Sequence, residues 1–172
     1  QEFSGYARQV ELGIGRVEAT LPGLRELAIG GTAVGTGLNT HAEFGSRVAA
    51  ELTKQTGTEF SDARNHIEAQ SAQDAYVFTA GALNSVAASL MKIANDIRLL
   101  ASGPQAGLGE LVLPAIQPGS SIMPGKVNPV ICEAVIQVGA QVTGNATAIT
   151  IGGQWGQLHL NVMLPMMARN ML

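Results

Sequence analysis

Tyr76, Ala80, Leu83, Ala87, Leu90, Ala94, Ile97 and Ala101 recur in alternating steps of four and three. A strand repeats every two residues and cannot use that spacing, whereas a helix places all eight on one stripe. The stripe predicts a helix that starts near Asp62 and continues to about Ala101, a rod of about 58 Å at 1.5 Å per residue. A rod with so sustained a seam is a bundle component, and a chain of 172 residues cannot cover it fully. The same spacing opens the chain, through Phe3, Ala7, Val10, Ile14, Val17, Leu21 and Leu24, a seam built to pack along its length, with Pro22 expected to kink or end the helix.

Composition agrees with an all-α, long-helix bundle. Hydrophobic residues make up 46% of the chain, aromatics only 4%, and glycine is abundant, which suits long helices packed closely together. A formal charge of −3 with scattered Lys and Arg offers no basic stripe for nucleic acid. No uninterrupted apolar run approaches the roughly 18 residues that a membrane span needs. The single cysteine, Cys132, has no internal partner and is expected as a buried, inert thiol in a helix, which implies a reducing compartment. The chain lacks an initiator Met, and its first residues already lie in the periodic pattern, so it is read as part of a longer protein.

Between the helices lie two polar, glycine-bearing stretches, where chemistry is expected. The first, Gly30 to Thr40, is followed by a helix predicted over Ala42 to Gln55, with Thr40 as its cap and Glu43 as a capping-box partner. The second follows Gly103-Pro104, which ends the rod, and holds Pro104, Pro114, Pro118 and Pro124 in an extended loop. Helix is expected to resume at Pro129, its first helical position, with Asn128 as cap, and to run to about Ile151. A last helix is expected from near Leu160 to the end, with Pro165 bending it.

The second loop ends in Gly119-Ser120-Ser121-Ile122-Met123-Pro124-Gly125-Lys126-Val127-Asn128-Pro129. It is no phosphate loop. Five residues, not four, separate Gly119 from Gly125, and Val127 stands where Ser or Thr would hold magnesium. What it offers is two adjacent hydroxyls, one lysine and the positive end of a following helix, which together favour a carboxylate anion. A serine could act as a base there only if N–H groups, Lys126 or the helix dipole stabilised its alkoxide. On the residues alone, a second reading stands beside this one, in which the serines merely solvate a proline-rich connector.

GSSIMPGKVNP resembles the signature loop of the aspartase/fumarase superfamily, and its Pro-Gly-Lys-Val-Asn-Pro spelling is closer to class II fumarase than to aspartase, which tends to carry Ala at the place of Gly125. GGTAVGTGLNTH (30–41), SLMKIANDIRLLASGP (89–104), GLGE (107–110) and LNVMLPMM (160–167) fall in the same order and spacing, so the resemblance covers essentially the whole chain. It implies the central helical domain, over 1–172, of a longer subunit, without that subunit's N-terminal segments and C-terminal small domain. It also implies reversible hydration of fumarate to L-malate with no cofactor and no metal. By resemblance Ser120, on a mobile loop, is the base that removes the C3 proton of malate. Ser121, Lys126 and Asn128 contact substrate carboxylates, Val127 contributes backbone, and Glu133 supports an active-site histidine. The family's Thr-His pair, and a further segment rich in Ser, Thr and Asn, fall upstream of Gln1-Glu2-Phe3, so this chain alone is expected to be inactive.

The resemblance implies a small dicarboxylate as partner, a homotetramer with a twenty-helix core and active sites built from three subunits, and the cytoplasm, or the mitochondrial matrix in a eukaryote. Aspartate ammonia-lyase and a catalytically silent helical oligomerisation module are the alternatives. Thr40-His41 is read as a helix entry, His66 and His159 as surface histidines without metal-ligand spacing, Asp96 and Arg98 as packing or interface charges, and Trp155 as a loop anchor. Thr32, Thr36 and Asn39 are candidates for approaching the site.

Overall fold

The computed structural model describes residues 1–172. It is all-α apart from two ladders of two residues per strand. The elements are α1 (Glu2–Glu18), α2 (Leu21–Arg25), β1 (Glu26–Leu27), α3 (Phe44–Thr56), β2 (Ser61–Asp62), α4 (His66–Ser71), α5 (Asp74–Leu100), α6 (Val130–Gln154), β3 (Gly156–Gln157), β4 (Leu160–Asn161) and α7 (Leu164–Met171). β1 and β2 pair in parallel, Glu26 opposite Ser61, while β3 and β4 pair antiparallel, Gly156 opposite Asn161. The chain divides into two compact units, one of residues 1–13 and 84–144, the other of residues 14–83 and 145–172, and α1, α5 and α6 contribute to both.

The expected rod is real but shorter. Gln73 takes a left-handed conformation (φ 60°), which interrupts the pattern and leaves α4 and α5 as separate helices. α5 keeps 27 residues, about 40 Å at 1.5 Å per residue. α4 starts at its own cap, the Asn65 Oδ1 accepting the Glu68 N–H at 3.1 Å. By length and composition α5 alone would pass as a membrane span. Four of its alanines, Ala80, Ala82, Ala87 and Ala94, are buried, and it carries the Lys92–Asp96 ion pair.

In the first unit, Ala87 and Ala94 of α5 are buried. Tyr6 of α1 donates its hydroxyl to Asp96 at 2.9 Å, Lys92 pairs with the same carboxylate, and the Lys92 ammonium lies 4.9 Å from the Tyr6 ring centre. Asp96 is thus a packing charge, as expected. α5 and α6 are joined by a hydrogen bond from Thr143 Oγ1 to Asn84 Oδ1 at 2.9 Å. Cys132 is buried, as expected.

In the second unit, the core is Ala80, Ala146, Ile149 and Met167, with Tyr76, Val77, Met163, Met166 and Met171 packed on it. Met167 reaches it only because α6 presents Gly152, where a Cβ would lie 2.6 Å from the Met167 side chain. Pro165 sits in the first turn of α7, so it starts that helix instead of bending it, and Leu160 lies in β4. Asn161 is buried and fixes this corner, donating to the Gly152 carbonyl at 3.0 Å and accepting from the Met163 N–H at 2.9 Å.

Other expectations are corrected. α1 ends at Glu18, and Pro22 opens α2. The α1 seam faces outward, with Phe3, Val10 and Ile14 exposed, while Gly13 is the residue of α1 that is buried. Thr40 does not cap α3, which begins at Phe44. His41 Nδ1 instead accepts the Glu43 N–H at 3.1 Å, and the Glu43 carboxylate pairs with Arg47 at 2.6 Å. Trp155, expected as a loop anchor, is mostly exposed. His66 is not a free surface group, since its Nε2 lies 2.7 Å from Asp62 Oδ1 and 3.1 Å from the Ile29 carbonyl.

Two consequences are measurable. The Lys92 and Tyr6 hydrogen bonds hold the Asp96 carboxyl below its ordinary range, and the same carboxylate holds Tyr6 and Lys92 above theirs. The Asp96 contribution is therefore present above the unfolded carboxyl pKa of about 3.9 and is lost as pH falls through the lower folded value. The Tyr6 and Lys92 contributions are present below about 10 and are lost as pH rises through their raised values. Asp96→Asn should lower the urea midpoint at neutral pH, and the gap to wild type should close in strong acid. Met167→Ala should cost about 2–5 kcal/mol in the same assay, because Met167 is fully buried and the helices around it cannot close the gap.

Candidate active site

After α5 the chain leaves helix until Val130, and the start of that segment is fastened to the helix end. The Glu110 and Leu111 N–H groups donate to the Leu100 carbonyl at 2.8 and 3.2 Å, and the Gly109 N–H donates to Ser102 at 2.6 Å. These bonds satisfy carbonyls that the end of α5 would otherwise leave unpaired.

Met123-Pro124-Gly125-Lys126 forms the tip of the serine loop. Pro presets the second position of a type II turn, and the third needs a positive φ; Gly125 supplies 77°, and the Lys126 N–H closes the turn on the Met123 carbonyl at 3.2 Å. At the base of the loop, Gly119 donates its N–H to the Lys126 carbonyl at 3.1 Å, and Asn128 Nδ2 donates to the Gly119 carbonyl at 3.2 Å. Asn128 is therefore not the cap that its place before a helix suggests. Its amide is turned back onto the loop, α6 begins at Val130 and Pro129 precedes it.

The structure brings Ser120, Ser121, Lys126, Val127 and Asn128 together on this one loop. Ser120 is half-buried, and its Oγ accepts the Ile122 N–H at 3.3 Å. That bond is one N–H of the kind a serine base would draw on. A donor already aimed at the hydroxyl oxygen binds an alkoxide more strongly than an alcohol and so favours the ionised form. Ser121, Lys126 and Val127 are exposed, and Lys126 forms no ion pair. Glu133, half-buried, lies in the first turn of α6, where its charge suits the positive helix end, and no hydrogen bond joins its carboxylate to the loop.

Beside the loop base lies a cleft of about 580 Å³, walled by Pro104, Leu111, Leu113, Gly125, Lys126 and Val127, all in the first unit. The serines do not line it. Thr32, Thr36 and Asn39 belong to the second unit. There the Gly30–Thr40 loop is held by Gln70 Nε2 on the Thr32 carbonyl at 2.8 Å and by His66, with Thr32 and Asn39 themselves at positive φ (59° and 63°). No group of three His, Cys, Asp or Glu side chains is arranged to hold a metal ion. The sequence reading takes the glycines on both sides of the serines as mobile and asks for N–H groups in general; the structure ties both backbone groups of Gly119 and puts the N–H of Ile122 on the Ser120 hydroxyl.

The model of a lyase family matches residues 1–144, and the chain belongs to that family. It is 64% identical along its whole length to the class II fumarate hydratase of Corynebacterium efficiens and 58% identical to the mitochondrial fumarate hydratase of Rattus norvegicus. It spans about a third of those relatives, 37% and 34% of their lengths. A crystal structure of class II fumarase from Schistosoma mansoni superposes with a TM-score of 0.96 at 41% identity, over 99% of this chain and 39% of that one.

Proposed function

We propose that these residues are the central helical part of a class II fumarate hydratase subunit, which interconverts fumarate and L-malate, and that Ser120 is its base. The observation that carries the reading is 64% identity to such an enzyme along the whole chain. Abstraction of the malate C3 proton places negative charge on the neighbouring carboxylate. Groups that hold this charge more strongly than the substrate's own lower the barrier. In this reading Ser121, the Lys126 ammonium, the Val127 backbone and the second N–H of Asn128 receive the substrate carboxylates. The Ser120 oxygen, with the Ile122 N–H on it, takes the proton, and the hydroxyl leaves with help from groups outside these residues. Glu133 orients a histidine supplied from another part of the enzyme. The chemistry needs no cofactor.

The exposed apolar side chains Phe3, Val10, Ile14, Phe78 and Val138 on the long helices support assembly into a homotetramer in which other copies cover them. A reducing setting, the cytoplasm or the mitochondrial matrix, fits the single buried thiol and a relative named as mitochondrial.

In the full-length protein, malate should yield fumarate, followed by absorbance, and aspartate should not; release from aspartate alone would replace the hydratase by an ammonia-lyase. Ser120→Ala should lower kcat by about 10²–10⁴-fold, the usual worth of a positioned base, with the oligomer intact. Retained turnover would remove Ser120 from the mechanism. The isolated 172 residues should show no turnover in the same assay.

A further inference from the structure

We propose that Gly119 is the positioning residue for Ser120, through a hydrogen-bonded neck with Lys126 and Asn128 that fixes the base end of the serine loop, whose segment from Ser120 to Gly125 is the flap. This rests on the reading of Ser120 as the base and adds what sets its place. Both backbone polar groups of Gly119 are committed to the neck, its N–H to the Lys126 carbonyl at 3.1 Å and its carbonyl to Asn128 Nδ2 at 3.2 Å. Beyond the neck, the flap's hydrogen bonds are internal: Lys126 N–H to Met123, and Ile122 N–H to Ser120. The flap is therefore stiffened by its own turn and fixed at its base, with Gly125 facing the cleft beside Pro104 and Leu111, and with Ile122 84% exposed.

Ser120 is the first residue past the neck. With the Gly119 peptide pinned at both groups, only the Ser120 torsions remain to aim the hydroxyl, and the Ile122 N–H restrains those. The neck admits no side chain at its first residue. A Cβ on Gly119 would overlap the Lys126 carbonyl oxygen and lie 2.8 Å from its carbon, backbone atoms that can yield only if the neck opens. Asn128 carries two amide hydrogens and the neck uses one of them, so a substrate carboxylate on the second would be tied to the neck through a single planar group.

In the full-length enzyme, Gly119→Ala should lower kcat for malate by about 10²-fold, the cost of displacing a reacting group by about an ångström. KM should change much less, because the Lys126 ammonium and the Ser121 hydroxyl remain and only the Asn128 contact is tied to the neck. Trypsin cleavage at the Lys126–Val127 bond should quicken as the neck opens, while helix content and oligomer size stay at wild-type values. An unchanged kcat would overturn the proposal. If Ser120→Ala is inactive at the same time, the base reading survives that failure, whereas an active Ser120→Ala would sink both. Should the glycine variant not fold, hydrogen exchange on the wild type decides: a slowed Gly119 amide supports the neck, and free exchange there overturns it.

Discussion

The structure depends on one long helix that buries small side chains. Ala80, Ala87 and Ala94 recur every seven residues on α5, and each is buried. Alanine at those places lets neighbouring backbones come close, and the contacts that follow are specific to that closeness. In one unit Ala80 shares a core with Ile149 and Met167, and in the other the Tyr6 hydroxyl reaches Asp96. A larger residue on the stripe would push these neighbours apart, since interiors at crystal-like density do not absorb an extra methylene quietly.

The stripe was legible because its period can serve only one kind of element. What ended the helix was less so: Gln73 carries no mark of a left-handed residue, and its conformation is imposed by the elements it joins. Pro22 was expected to kink or end a helix and Pro165 to bend one, yet both open helices, where a proline's missing N–H costs nothing. The outward seam of α1 shows another limit. A period identifies an apolar face but does not say whether that face meets the same chain or another surface.

The serine loop was legible in its side chains and not in its backbone. Pro124-Gly125 announces a type II turn, and that turn is present. The donor on Ser120, however, is a main-chain N–H, and the role of Asn128 was misassigned because a residue before a helix usually caps it. Here the competing bond to Gly119 prevailed, and it did so because Gly119 and Lys126 were already in contact. Sequence named the candidate groups; the backbone arranged them.

The distribution of side-chain size has its own consequence. This chain keeps alanine inside and leaves Phe3, Ile14, Phe78 and Val138 in water, the reverse of a self-sufficient domain. Burying methyl groups gains little, and most of the hydrophobic free energy that the sequence could supply is unrealised until those faces are covered. In an assembly that covers them, folding and association become one equilibrium, so that dilution acts as a denaturant and the melting temperature becomes a function of how much protein is present.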